Sequence, residues 1–389
     1  MTLTAETVVL PVDNGVPPPL PLTTGSDRRT DVEAKQACVG TLLQEAGCEG
    51  LLLTEPENLA WFTSGAAARG VLDPAASPIL YASADQRWVI SCNVDSQRLF
   101  DEELDGLGFQ LKEWPWHWGR EQLIADLCHE RRVACDRPLD GFKPVGDRLQ
   151  ALRRVLTAYE RACYEALGRT LAHALEATCR AIEPNSTERE VAGQLSHRLV
   201  HRGVQPVAIE VAADGRSRYY RQCGYIAVPV CHSCVLRATA RKYGLCATAS
   251  RSVAFGDPDP SLRKEHNAAC RVSATYIASS WPDAVPSQIL STGRHVYQIT
   301  GFEHERRQSP QGHITARVPV ELNLTPKVEE LLHADWAVTW QASVGAALSC
   351  DTFIISEEGP QLLTPTDMWP MKRIRVQGAE FFRPDLLIR

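Results

Sequence analysis

No stretch of this chain approaches the roughly 20 consecutive apolar residues that a membrane-spanning helix needs, so the sequence offers no membrane helix. A surplus of basic charge is also missing. Lys and Arg number 41 against 47 Asp and Glu, giving a net charge of −6 and a pI near 6.0. That balance excludes the electrostatic footprint of a nucleic-acid binder or a membrane-surface protein. Residues 1–30 lack a charged segment followed by a clean apolar run, so no signal peptide is expected. A second cysteine pair is lacking as well. Cys231-His232-Ser233-Cys234 is the single CxxC, and a zinc site needs a matching partner pair. No internal repeat of solenoid length is present. Together these lacks predict a cytoplasmic protein whose 13 cysteines are reduced thiols.

What is present is ordinary for a globular protein: 389 residues, 44% hydrophobic and 23% charged, enough for two or three domains. Residues 1–30 carry Val16-Pro17-Pro18-Pro19-Leu20-Pro21 and read as a flexible Pro-rich arm or an extended strap. Residues 31–147 read as a small α/β domain. Val32, Ala37, Val39, Leu42, Leu43 and Ala46 fall at helical spacing, and Gly50–Leu53, Ile79–Tyr81 and Trp88–Ile90 read as short strands. The run Trp114-Pro115-Trp116-His117-Trp118 reads as an aromatic edge for a neighbouring domain or subunit, or as a lid.

Residues 148–389 begin with two helices, the second carrying Leu167, Leu171, Leu175 and Cys179 every four residues. Thr187 and Glu190 stand at capping-box spacing. The centre of this part is Cys234–Gly256, two strands joined by a turn at Lys242-Tyr243-Gly244. Arg251 lies between two serines inside an apolar strand and must have a partner, because a lone buried charge is costly. Strands are expected at Val207–Ala213, Ile226–Val230, Thr315–Leu322, Ala337–Gln341, Cys350–Ile355 and Gly359–Leu363. Helices are expected at Pro260–Ser279 and Pro286–Tyr297.

Several stretches resemble one family in their order. Pro56-Glu57-Asn58 followed by Trp61-Phe62 and Gly65 is similar to its N-domain pattern. Ile182-Glu183-Pro184 with Thr187-Glu188-Arg189-Glu190 is similar to its helix junction, with Asn185 where glycine is usual. Tyr243-Gly244 and Ser250-Arg251-Ser252 are similar to its central hairpin. On these residues the chain, over roughly 30–389, resembles the superfamily of creatinase, aminopeptidase P, prolidase and methionine aminopeptidase. The resemblance implies an α+β fold, with a pita-bread C-terminal domain preceded by a smaller creatinase-like α/β domain.

Active metallopeptidases of that family hold two metal ions on two Asp, one His and two Glu, oxygen-rich ligands suited to hard divalent cations. The resemblance places Arg237, Thr248, His313, Gln341 and Cys350 at those positions, and a slip of one residue would substitute Asp351 for Cys350. Only the histidine is kept, so no cofactor is expected. Creatinase itself is metal-free, and the histone-chaperone relative binds partners without catalysis, so the fold leaves function open. His313 and Cys350 are the catalytic candidates, with the thiol as nucleophile. Arg218, Tyr219, Arg237, Thr248, Arg251 and Gln341 are the candidates for holding an anionic small molecule or peptide. Alternatively, Arg237 and Arg251 pair with acidic residues such as Asp351, Glu321 or Asp335 and fill a site without chemistry. Three functions stay open: a metal-independent binder of an anionic ligand with C–N bond hydrolysis, a non-catalytic interaction module, and an X-Pro metallopeptidase if the ligand positions lie elsewhere. A homodimer is compatible with the Trp-rich edge.

Overall fold

The structure, a computed structural model, describes residues 5–8, 25–71, 73–366 and 368–389. These divide into two compact units. One takes 25–163 with 243–245, and the other takes 5–8, 164–242 and 246–389. The units part at 163/164, whereas the sequence reading placed a boundary at 147/148. No helix among the described residues is long and apolar enough to cross a membrane.

Strand β1 (Ala5–Val8) precedes helix α1 (Gly25–Ala46). Within the arm or strap expected over 1–30, β1 pairs antiparallel with residues 371–374, and α1 has begun by residue 25. The proline-rich stretch between them lies outside the described residues.

The smaller unit continues with β2 (Gly50–Leu53), α2 (Pro56–Phe62), β3 (Ile79–Ala82), β4 (Arg87–Cys92), α3 (Ser96–Leu99) and β5 (Gln110–Trp114). Then come α4 (Glu121–Cys128), β6 (Val133–Cys135), β7 (Lys143–Pro144) and α5 (Gly146–Arg154). Its six-stranded sheet runs β5-β4-β3-β2-β6-β7. Val32, Val39, Leu42 and Leu43 of α1 lie buried in the same core as Leu51 and Leu53 of β2, as the helical spacing of the sequence requires. Of the tryptophan run, Trp114 is buried, while Trp116 and Trp118 are exposed.

Helix α6 (Ala158–Ala181) leads into the larger unit, and Leu167, Leu171, Leu175 and Cys179 are all fully buried. Helix α7 (Glu188–Val200) opens on the expected capping box: Thr187 accepts from the Glu190 N–H, and Glu190 reaches back to the Thr187 N–H. Strands β8 (Gln205–Ala213), β9 (Ser233–Lys242) and β10 (Leu245–Ala254) form one sheet. The β9–β10 turn has positive φ at both central residues, 55° at Tyr243 and 67° at Gly244. Two positive φ angles give a two-residue hairpin its type I′ twist, which matches the twist of the flanking strands.

Helices α8 (Pro260–Ala278) and α9 (Pro286–Thr300) follow. The second sheet runs β12-β11-β13-β14-β15, from β11 (Gly312–Thr315), β12 (Leu322–Asn323), β13 (Ala337–Val344), β14 (Ala347–Ile354) and β15 (Gln361–Leu362). A terminal hairpin, β16 (Met371–Val376) and β17 (Ala379–Pro384), and β18 (Leu387–Ile388) close the chain. Strand β18 adds to the first sheet beside β10.

The two sheets of this unit meet along β10 and β14, and side chains stitch the seam. Thr352 Oγ1 accepts from the Thr248 N–H and donates to the Thr248 carbonyl, both at 2.9 Å. Ser250 Oγ accepts from the Cys350 N–H at 3.0 Å. These hydroxyls satisfy backbone groups that would otherwise be buried without partners. Tyr276, Val338 and Trp340 anchor the core between α8, α9 and the second sheet.

Candidate functional site

Of the residues singled out in the sequence, Arg237, Thr248, Arg251, His313, Gln341 and Cys350 lie on β9, β10, β11, β13 and β14, and Arg218 and Tyr219 on a turn after β8, all within the larger unit. The structure separates them into two groups.

Arg237 anchors the first. It faces Glu210 directly across the β8–β9 ladder, and their ion pair has Nη1 3.5 Å from Oε1. Its Nε is buried and has no hydrogen-bond partner among the described residues. Burial raises the Glu210 carboxyl while the guanidinium acts to lower it, and burial wins. Arg237 and Glu210 line a narrow cleft with Ser217, Tyr220, Arg221 and Cys223.

His313 on β11 is buried, and its pKa is pushed down to about 4, first by burial and then by the Arg237 guanidinium. The ring is therefore neutral at physiological pH. Cys350 on β14 stands opposite Gln341 of β13. Residues directly opposite in an antiparallel ladder share a face, so these two sit together and Asp351 pairs with Trp340. The register therefore puts Cys350, and not Asp351, on the face that Gln341 presents. Its thiol is pushed up to about 12 by burial, against the opposing influence of Arg237. Gln341 Nε2 donates to the Pro310 carbonyl at 2.6 Å, while its buried Oε1 has no partner among the described residues. Thr248 is buried and shares a hydrogen bond with Thr239 at 2.8 Å. Arg237 thus acts on both His313 and Cys350, and Gln341 adjoins Cys350.

The second group does not face a ligand space. Arg251 is fully buried, with Nη1 3.0 Å from Asp351 Oδ1 and Nε 3.3 Å from Glu176 Oε1. It also donates to the carbonyls of Ser250 and Thr364. Its assignment to substrate binding is corrected: Asp351 of β14 and Glu176 of α6 supply two carboxylates, and the arginine is a structural tie. Arg218 is corrected likewise, because Glu265 of α8 engages it through both oxygens, at 2.6 and 3.1 Å. Asp214, Asp257 and Asp259 line the groove beside it, which disfavours an anion. Tyr219 is 79% exposed and lies outside the Arg237 cleft. The nucleophile role for Cys350 is corrected too. A thiol near 12 is protonated at neutral pH, and the reactive form is the thiolate.

Residues that sequence reasoning missed are the acids that answer these arginines. Glu210 meets Arg237, Glu265 meets Arg218, and Glu305 meets Arg221 at 2.5 Å. Glu188, fully buried, holds Arg216 and the N–H groups of Ala213 and Ile226. Period-two alternation in β8 was the only available signal for Glu210.

The resemblance implies a dinuclear metal centre, and the donor set can be tested against it. Hard divalent cations require several carboxylates. The five positions instead hold a guanidinium, a hydroxyl, an imidazole, an amide and a protonated thiol. Among the described residues, no group of three or more His, Cys, Asp or Glu side chains is placed to hold a metal ion. The residues present do not fit that centre.

Two α/β halves sharing a cleft, preceded by a smaller α/β unit, define a pita-bread protein with an N-terminal domain. Solved structures of that class match most of the chain. Prolidase from Thermococcus sibiricus aligns at TM-score 0.74 and 14% identity, covering 87% of this chain and 98% of its own. X-Pro aminopeptidase from Thermotoga maritima aligns at 0.73 and 16%, covering 86% and 98%. The N-terminal domain of the FACT complex subunit SPT16 from chickpea (Cicer arietinum) aligns at 0.63 and 11%, covering 87% and 95%. At such identities the likeness shows the fold. No curated protein sequence matches the chain. Residues 162–318 match the model of metallopeptidase family M24.

Proposed function

We propose that this chain is a metal-independent member of its peptidase superfamily, and that the cleft binds a carboxylate-bearing small molecule or peptide on Arg237. One observation carries the reading: a guanidinium with a buried, unpartnered Nε lies in the cleft, at the position where the resemblance expects a metal-binding aspartate. An orphaned buried donor costs free energy that a ligand oxygen would offset. Glu210 reaches only the other end of the group, at 3.5 Å, which leaves the Nε edge for a carboxylate. Hydrolysis of a C–N bond has weaker support. His313 is a poor base at a pKa of about 4, and Cys350 a poor nucleophile at about 12. Binding without turnover is therefore the reading the site supports best.

Three measurements on the purified protein test it: bound metal, cleavage of X-Pro dipeptides with added Mn²⁺, and thermal shift with a panel of mono- and dicarboxylates. The expected result is well under one metal per chain, no cleavage, and stabilisation by a carboxylate. That stabilisation should vanish in Arg237→Met/Glu210→Gln, which removes both charges together. Two metals per chain, with cleavage lost in His313→Ala, would sink the proposal in favour of an X-Pro metallopeptidase.

A further inference from the structure

We infer that the C-terminal half of helix α7 is a docking groove for an extended acidic peptide segment of a partner protein. Gly193, Gln194, His197, Arg198, His201 and Arg202 line an open groove along this helix. They fall in two rows at four-residue spacing, 193-197-201 and 194-198-202. No Asp or Glu occurs from Val191 through Ile209. The nearest carboxylate on the same rows is Glu190, and Thr187 occupies it in the capping box. Lys242 brings a further cation to the end of the helix, where its Nζ donates to the Arg202 carbonyl at 2.9 Å. A patch of one sign on a chain of net charge −6 is a local feature that selects a complementary partner.

Gly193 is an independent pointer. A glycine inside a helix weakens it relative to alanine, so a physical reason for it is expected. Neither of the usual reasons applies here: its φ is not positive, and a Cβ at this position would meet nothing within 4 Å. The missing side chain leaves the floor of the groove open beside the stacked rings of His197 and His201, whose centroids are 5.9 Å apart.

Spacing points to an extended peptide. Arg198 and Arg202 are separated by about 6 Å of helix rise, close to the roughly 6.8 Å between alternate side chains of an extended strand. Acidic residues at every second position would each meet one guanidinium. A nucleic acid fits less well. A longer polyanion runs beyond the groove over a chain that is acidic overall, and its affinity depends on many phosphate contacts.

Fluorescence anisotropy with a fluorescein-labelled hexaglutamate peptide and the full chain tests the inference, with labelled dT12 in parallel. Saturable binding is expected at 50 mM salt, weakening about tenfold at 200 mM salt as surface charges are screened. Arg198→Glu/Arg202→Glu should lose at least about tenfold in affinity, while Arg189→Glu at the other end of the helix changes little. Gly193→Leu covers the case in which the double variant fails to fold. It fills open space on an exposed helix, so it should raise the melting temperature and still weaken the peptide. Absence of hexaglutamate binding, unchanged affinity in Gly193→Leu, or tighter binding of dT12 than of the peptide would each overturn the inference.

Discussion

Arg237 and Arg251 look alike in the sequence, each an arginine set in an apolar strand, yet their surroundings assign them opposite tasks. Arg251 is enclosed by Asp351 and Glu176, and Asp351 is also held by Arg383 and Thr364. Breaking such a network strands buried charge, so Arg251→Met should cost about 3–5 kcal/mol of stability, read as a shift in urea midpoint. Arg237→Met should cost far less, because its ion pair with Glu210 is long and lies at a cleft. Equal losses in the two variants would contradict this division. Cys350 yields a second residue-scale expectation. Its buried thiol, near 12, should resist iodoacetamide in the native protein at pH 7.5 while exposed Cys38 reacts; rapid labelling of Cys350, read by peptide mass mapping, would be inconsistent with this environment. The sequence made Arg251's need of a partner legible, because charge inside an apolar strand is visible in one dimension. It did not make Glu210 legible as the partner of Arg237. That pairing depends on which residues of β8 and β9 stand opposite, and a bulge between Pro206 and Ala208 shifts the count.

At the scale of elements, local chemistry decided what was readable. The hairpin, the capping box and the every-fourth-residue pattern of α6 rest on neighbours in sequence, and each appears where expected. Thr187→Ala should accordingly lower stability by about 1 kcal/mol, measured by chemical denaturation. Segments whose hydrogen bonds go to distant partners were misread. Ile226–Val230 was expected as a strand, but its backbone serves the entry to α7. The Glu188 N–H donates to the Val228 carbonyl, the Asn185 N–H donates to the Val230 carbonyl, and the Glu188 carboxylate accepts from the Ile226 N–H. Residues 316–321, expected as the middle of a strand, turn instead for a local reason, since Glu321 accepts the N–H groups of Arg317 and Val318 four and three residues back. The terminal hairpin of β16 and β17 was passed over. Its six-residue strands mix arginine and glutamate with apolar residues, and only pairing with β1 and packing on α8 reveal them.

For the molecule as a whole, the order of motifs conveyed the fold more readily than any single element did, because each motif marks a junction that the fold requires. Stability depends on contacts that no motif records. One such contact joins α8 to the chain's C-terminal end. His266 Nε2 lies 3.3 Å from Asp385 Oδ1 and 3.4 Å from Cys270 Sγ, and Lys372 Nζ lies 3.2 Å from Asp385 Oδ2. Burial opposes a charged His266 ring, but Cys270 and Asp385 outweigh it and hold the pKa up to about 9. Asp385 is depressed in turn, burial being outweighed by His266 and Lys372. A histidine with a higher pKa folded than unfolded adds stability that is complete below the unfolded value, near 6.5, and disappears as pH rises through the folded one. The window for His266 is therefore pH 6.5 to about 9. At about 1.4 kcal/mol per pKa unit, the contribution at stake is roughly 3 kcal/mol. Urea unfolding at pH 6.5 and pH 9.5 should show the wild type losing about that much more stability across the interval than His266→Gln, which cannot titrate. The Asp385 carboxylate stays charged throughout this range, so the difference reports the histidine. Parallel losses in the two proteins would mean that the ring is neutral when folded and that Lys372 alone ties Asp385 to β16.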